Sequence, residues 1–189
     1  MKTVKNLVIF LFALSLSGCA GLFIAGAATT ASIVIDPRTT QEIWDDNNIE
    51  FEIAGIGNKD PFRGNARITA SSYNGTVVLM GQANTEQLKR EIESRSRDIK
   101  GVKEVHNQLR VKSPLSVGQI SHDSWITTKV KSALIANSEL SGTKIKVITE
   151  DKEVFLLGYV SQEHATIAID IARNTSGVKQ VIRAFYQGS

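Results

Sequence analysis

Val77-Val78-Leu79-Met80-Gly81 and Val154-Phe155-Leu156-Leu157-Gly158 stand 77 residues apart and read as one strand written twice. Arg67-Ile68-Thr69-Ala70 and Lys144-Ile145-Lys146-Val147 precede them at the same offset. On the N-terminal side, Ile49 and Ile53 pair with Ile126 and Val130, again 77 apart. On the C-terminal side, Gly101-Val102-Lys103-Glu104-Val105 matches Gly177-Val178-Lys179-Gln180-Val181 at an offset of 76, so one residue has been dropped between the stations. Four stations in the same order define an internal repeat, and the repeat governs how every other element is read.

Each copy reads helix, strand, strand, helix, strand. Asn74-Gly75 is a type I′ hairpin signal between the first two strands, and Asp151-Lys152 replaces it in copy two. Leu88, Ile92 and Ile99 put an apolar stripe on the second helix of copy one. Gly101 and Gly177 stand where a helix C-cap glycine belongs. Val105, Asn107, Leu109 and Val111 alternate with Glu104, His106, Gln108 and Arg110, which predicts a last strand with one buried and one wet face. A helix between two strands of one sheet implies a parallel pair. The expected fold class is therefore α+β, two tandem αββαβ units, each a small mixed three-stranded sheet covered by two helices.

The N-terminus reads as an address. Lys2 and Lys5 precede the apolar run Leu7 to Leu16, which is shorter than the ~20 residues of a membrane span and fits a signal peptide. Leu16-Ser17-Gly18-Cys19 resembles the lipobox of bacterial lipoproteins, and Cys19 is the sole cysteine of the chain. A thiol there can carry a diacylglyceryl thioether and the freed amine a third chain, and two or more acyl chains anchor stably. By the same resemblance, Ala20 after the cysteine favours export to the outer membrane. The expected partition is signal peptide 1–18, lipidated tether 19–40, first repeat 41–112, linker 113–120 and second repeat 121–189.

Composition narrows the function classes. The 189 residues are 42% hydrophobic and 22% charged, which is globular, and 6% aromatic, which implies an aliphatic core. One cysteine excludes a disulfide framework or Cys-rich zinc site, and three histidines leave little for a metal site, so no metal and no cofactor are expected. The net charge of +3 falls to about +1 when Lys2 and Lys5 are removed, which argues against a nucleic-acid partner. No Gly-x-Ser-x-Gly, His-Glu-x-x-His or phosphate loop is present. His106, His122 and His164 read as surface residues, and Asp45 and Asp46 should point different ways on a helix. No catalytic residue is expected.

The paired αββαβ copies, each with Gly-Val-x-x-Val opening its last strand, resemble BON domains (bacterial OsmY and nodulation). Together with the lipobox, Asp36-Pro37-Arg38 and Trp125-Ile126-Thr127-Thr128-Lys129-Val130, they look like the dual-BON outer-membrane lipoproteins. The resemblance covers nearly the whole mature chain. It implies a periplasm-facing protein that maintains outer-membrane integrity, binds anionic phospholipid through the first helix of its second domain, and is enriched at the division site.

Differences between the copies carry the rest. Copy one has Glu42, Asp45, Asp46, Glu50 and Glu52 around its first helix, loosened by Gly55 and Gly57, a surface that repels anionic membranes. A Glu at Phe51 is expected chiefly to destabilise that copy. Copy two has Asp123 at an expected N-cap, then a helix from Ser124 to about Asn137 with Ile126, Val130, Ala133 and Leu134 as its core stripe. Trp125, Thr128, Lys129, Lys131, Ser132 and Ile135 fall off that stripe. Indole and ammonium groups suit an anionic membrane interface. The residues alone equally allow Trp125 to cap a core edge or pack on the other repeat, with the lysines merely solvated; the resemblance favours lipid. In the second helix of copy two, Ala165, Ile169 and Ala172 form a core stripe, while Ile167 and Ile171 face away and are expected to contact the other repeat or a protein partner. The expectation is a non-enzymatic binder of phosphatidylglycerol-like lipid. The alternative is a protein-binding adaptor for outer-membrane assembly or cell-wall remodelling machinery.

Overall fold

The computed structural model describes residues 36–187; the signal segment, Cys19 and most of the tether lie outside them. The order is α1 (Thr40–Ile56), β1 (Ala66–Tyr73), β2 (Thr76–Ala83), α2 (Glu86–Arg97), β3 (Glu104–Asn107), β4 (Arg110–Val111), α3 (Val117–Ala136), a 3-10 turn (Ser138–Leu140), β5 (Lys146–Glu150), β6 (Glu153–Val160), α4 (Gln162–Arg173) and β7 (Gln180–Gln187). In the first repeat β1 runs antiparallel to β2, and β3 and β4 both run parallel to it. Thr76 faces Glu104 and Gln82 faces Arg110 in one register, so β3 and β4 are a single interrupted strand. The Asn107 side chain supports the break: its amide donates to Lys89 O and Glu93 Oε2, and its Oδ1 accepts from Leu109 N. In the second repeat β5 is antiparallel and β7 parallel to β6. Both repeats are thus αββαβ, as the sequence predicts.

The turn chemistry also follows the sequence. Asn74 and Gly75 have φ of 49° and 78°, and Asp151 and Lys152 have 54° and 64°, the paired positive values of a type I′ turn. Gly101 and Gly177 are left-handed too, at 93° and 99°, but they stand in the turn into the last strand. The helices end earlier, with Asp98 and Asn174 as caps.

One boundary differs from expectation. α3 starts at Val117, inside the stretch expected to be linker, because Ser116 and Gln119 form a capping box. Asp123 is therefore no N-cap; it is buried mid-helix, where both carboxylate oxygens accept from the hairpin turn. α1 runs through Gly55 to Ile56, secured at its start by the Thr39–Glu42 capping box.

Each sheet is buried on both faces. Val77 and Leu79 point into the first core with Ile49, Ile53, Phe62 and Ile92. Val154 and Leu156 point into the second with Ile126, Val130 and Ala168. The alternate residues Val78 and Met80 meet Phe155 and Leu157 in a third cluster, so the sheets pack on each other through the faces turned away from their helices. Glu104 and His106 of β3 are exposed, as expected of the wet face of that strand, whereas β2 and β6 carry the inter-repeat contact. Its rim is charged: buried Glu150 accepts from Arg67, from the Thr69 hydroxyl at 2.9 Å and from Gln82. Arg110 donates to Glu153 at 2.8 Å, and Lys112 pairs with Asp151 and Lys146 with Glu50. Tyr73 stacks on Tyr186 at 4.2 Å.

The expected contact through Ile167 and Ile171 is not how the repeats meet. Both isoleucines are half-buried against their own repeat's core, and α4 packs on α3, β6 and β7. The small residues Ala165, Ala168 and Ala172 let α4 approach its sheet closely, so the flanking isoleucines reach the core from the side.

Candidate membrane-facing site

α3 turns Asp123, Ile126, Val130 and Leu134 inward, fixing what its other side presents. Trp125 is 62% exposed and Ile135 84%. At 100° per residue they lie about 80° apart around the helix and about 15 Å apart along it, with Thr128 and Ser132 between them. Val117, 81% exposed, falls on the same line as Ile135, five turns away. It lay in the expected linker and was missed; the Ser116-Val117-Gly118-Gln119 cap signal could have found it. The Thr128 and Ser124 hydroxyls donate back to Ser124 O and Ile120 O, each at 3.0 Å, which satisfies them within the helix.

The two lysines are not equivalent. Lys129 is half-buried and its ammonium donates to Ser176 O, so it bridges α3 to the turn before β7. Lys131 is exposed and has no partner among the described residues. With Asp123 buried, the exposed charges of α3 are basic.

The equivalent helix of the first repeat also presents aromatics. Trp44 is 63% and Phe51 80% exposed, so Phe51 is not a core residue and the expected destabilisation by Glu does not hold. Seven residues apart, they share the side opposite Ile49 and Ile53. Exposed Asp45 and Glu52 flank them, and α1 contains no Lys or Arg. Asp46 is the buried clamp: it accepts from the Ser72 hydroxyl and from Asn74 N and Gly75 N, and pairs with Arg38 at 2.9 Å. Burial opposes its charge, but these hydrogen bonds together hold its carboxyl below the usual range.

His122 lies on α3 itself, about 60° around the helix from Trp125, whereas His106 and His164 lie on other elements. His106 and His122 are exposed; His164, in the first turn of α4, is half-buried, and its Nδ1 lacks a hydrogen-bond partner among the described residues. Among the described residues there is no cluster of three or more His, Cys, Asp or Glu able to hold a metal, and no helix is long and apolar enough to cross a membrane.

The BON domain model matches residues 45–113 and 122–185, the two repeats seen in the structure. The chain belongs to the BON-domain family. It is 42% identical over 187 residues to the outer membrane lipoprotein DolP of Haemophilus influenzae, covering 98% of this chain and 97% of that one. It is 43% identical over 150 residues to a 21 kDa hemolysin of Actinobacillus pleuropneumoniae, covering 79% and 77%. It is 42% identical over 66 residues to osmotically-inducible protein Y of Escherichia coli, covering 34% of this chain and 33% of that one. The chain is thus a dual-BON lipoprotein of the DolP type, located at the outer membrane.

Proposed function

We propose that this protein is a non-catalytic, periplasm-facing module, anchored through lipid on Cys19, that binds anionic phospholipid through α3 of its second repeat. In this reading it supports outer-membrane integrity and is enriched at the division site. The observation that carries the lipid reading is the pairing of exposed Trp125 and Ile135 on a helix whose exposed charges are basic. An indole is suited to the interface because its body is apolar and its N–H polar. Lys131 near an anionic surface adds about 1 kcal/mol. One ring, one aliphatic and one free ammonium make a weak site. An acyl anchor raises the local lipid concentration, so a weak site is still occupied and selects lipid type or membrane region.

Co-sedimentation of the chain from Ala20 to Ser189 with vesicles tests this. Binding should require phosphatidylglycerol and weaken with salt. Trp125→Glu should abolish it without changing the melting temperature; full binding by this variant overturns the reading.

A second reading rests on α1. Trp44 and Phe51 stand exposed in acidic surroundings that disfavour anionic lipid. That face suits a protein partner with basic and apolar side chains, as an adaptor for envelope assembly or remodelling machinery would require. Retained phosphatidylglycerol binding in a Trp44→Ala/Phe51→Ala variant, with loss of envelope function, would support it.

A further inference from the structure

β7 is an edge strand: it pairs with β6 on one side and with no described strand on the other. The last strand of the first repeat is an edge too, but side chains cap its outer backbone groups. There Gln108 N donates inward to Leu79 O, so Val105, Asn107 and Leu109, in the alternate positions, turn their peptide groups outward. Arg97, the last residue of α2, reaches Val105 O at 3.5 Å, and Asn107 Oδ1 accepts from Leu109 N at 3.1 Å. The strand is also interrupted between β3 and β4. The second repeat has lost each of these devices. Shifted by 76 residues, Arg97 becomes Arg173, Asn107 becomes Arg183, and Val105 and Leu109 become Val181 and Phe185. Arg173 turns to Asp170 at 3.6 Å, and Arg183 is exposed with no partner among the described residues. β7 runs unbroken over eight residues. An open edge of that length is a template for another strand.

A cleft of about 290 Å³ opens beside this edge. Val78, Ile182 and Ala184 give it an apolar floor, His106 and Gln108 line its far side, and no carboxylate lines it. Ile182 and Ala184 belong to the face packed between the repeats, so Arg183, between them, projects to the other side of the sheet. A strand laid along β7 meets an apolar cleft on one face and an unpaired guanidinium on the other.

We infer that β7 takes an extended segment of another protein as a fourth strand of the second sheet, one in which apolar and acidic side chains alternate. The apolar side chains enter the cleft beside Ile182 and Ala184, and an acidic one lies beside Arg183. Main-chain hydrogen bonds give such a complex its affinity, and the unlike faces set its register. A second copy of this chain fits less well, because symmetric pairing of two β7 strands about Arg183 opposes like charges. The inference is independent of the lipid reading of α3 and of the aromatic face of α1.

The test uses the chain from Ala20 to Ser189, which carries both repeats intact. Two synthetic octapeptides with blocked ends, one alternating Val and Glu and the other Val and Lys, are titrated at constant ionic strength while backbone amide signals are followed. With the Val/Glu peptide, saturable shifts are expected at Val181, Arg183 and Phe185, and these outward amides should gain protection from hydrogen exchange. The Val/Lys peptide should bind about fivefold more weakly. Arg183→Glu should reverse that preference. Arg183→Pro should keep the melting temperature, since it removes only an outward N–H of an edge strand, and should lose binding of both peptides. Absence of saturable shifts along β7, or an Arg183→Glu variant that still prefers the Val/Glu peptide, overturns the inference. Shifts confined to α1 or α3 do the same. Concentration-dependent shifts along β7 without any peptide would assign the edge to a second copy and overturn the choice of partner.

Discussion

Asp46 and Asp123 occupy the same place in the two repeats, 77 residues apart, and each carboxylate accepts from two consecutive backbone N–H groups of its own hairpin turn. Asp46 takes Asn74 N at 2.7 Å and Gly75 N at 2.9 Å; Asp123 takes Asp151 N at 2.7 Å and Lys152 N at 3.0 Å. A buried carboxylate on the first helix thus fixes the turn between the first two strands, locking helix to sheet in each repeat. Charged hydrogen bonds of this kind are stronger than neutral ones and costly to remove when buried.

Asp46→Asn should lower stability at pH 7 by about 2 kcal/mol, read by urea unfolding. The folded carboxyl lies below its ordinary value, so its contribution is full above about pH 4 and is lost as pH falls through the folded value. The gap between wild type and Asp46→Asn should therefore close in acid. A constant gap down to pH 2 would contradict the clamp.

Lys152 pairs a side chain with a left-handed φ of 64°, held by the Asp123 clamp. A Cβ in that region costs about 1 kcal/mol. Lys152→Gly should raise the melting temperature, and the gain should shrink when Asp123 is also replaced by Asn, since the two sites share one turn.

Phe51→Glu should leave the melting temperature unchanged, because the ring is exposed. Phe155→Ala, by contrast, removes a buried ring from the contact between the sheets and should cost about 3–5 kcal/mol. Hydrogen exchange should then show β2 and β6 losing protection together; loss confined to β6 would mean the repeats are stable independently.

Cys19→Ala should release the protein from the outer-membrane fraction after a salt wash, checked by fractionation. Retention there would put the anchor elsewhere in the chain.

The sequence by itself determined the two repeats, the order and type of their elements, and the type I′ turn at Asn74-Gly75. These are local or periodic properties: a matched offset, a two-residue turn, a stripe at helical spacing. The position of Phe51 was also legible, since a residue two places from both Ile49 and Ile53 lies on the opposite side of a helix. The four-residue apolar run Val77–Met80 carried a further signal, because a strand apolar at every position is buried on both faces. Only the tertiary structure decided what covers that second face. Val78 and Met80 meet Phe155 and Leu157 across the repeats, so the sheets hold the pair together and leave Ile167 and Ile171 to their own core. Tertiary packing likewise buried Asp123 against a turn 28 residues away and tied Lys129 to Ser176, while Lys131 has no partner among the described residues. Periodicity states which residues share a face; what that face meets depends on chain segments distant in sequence, and only the fold brings those together.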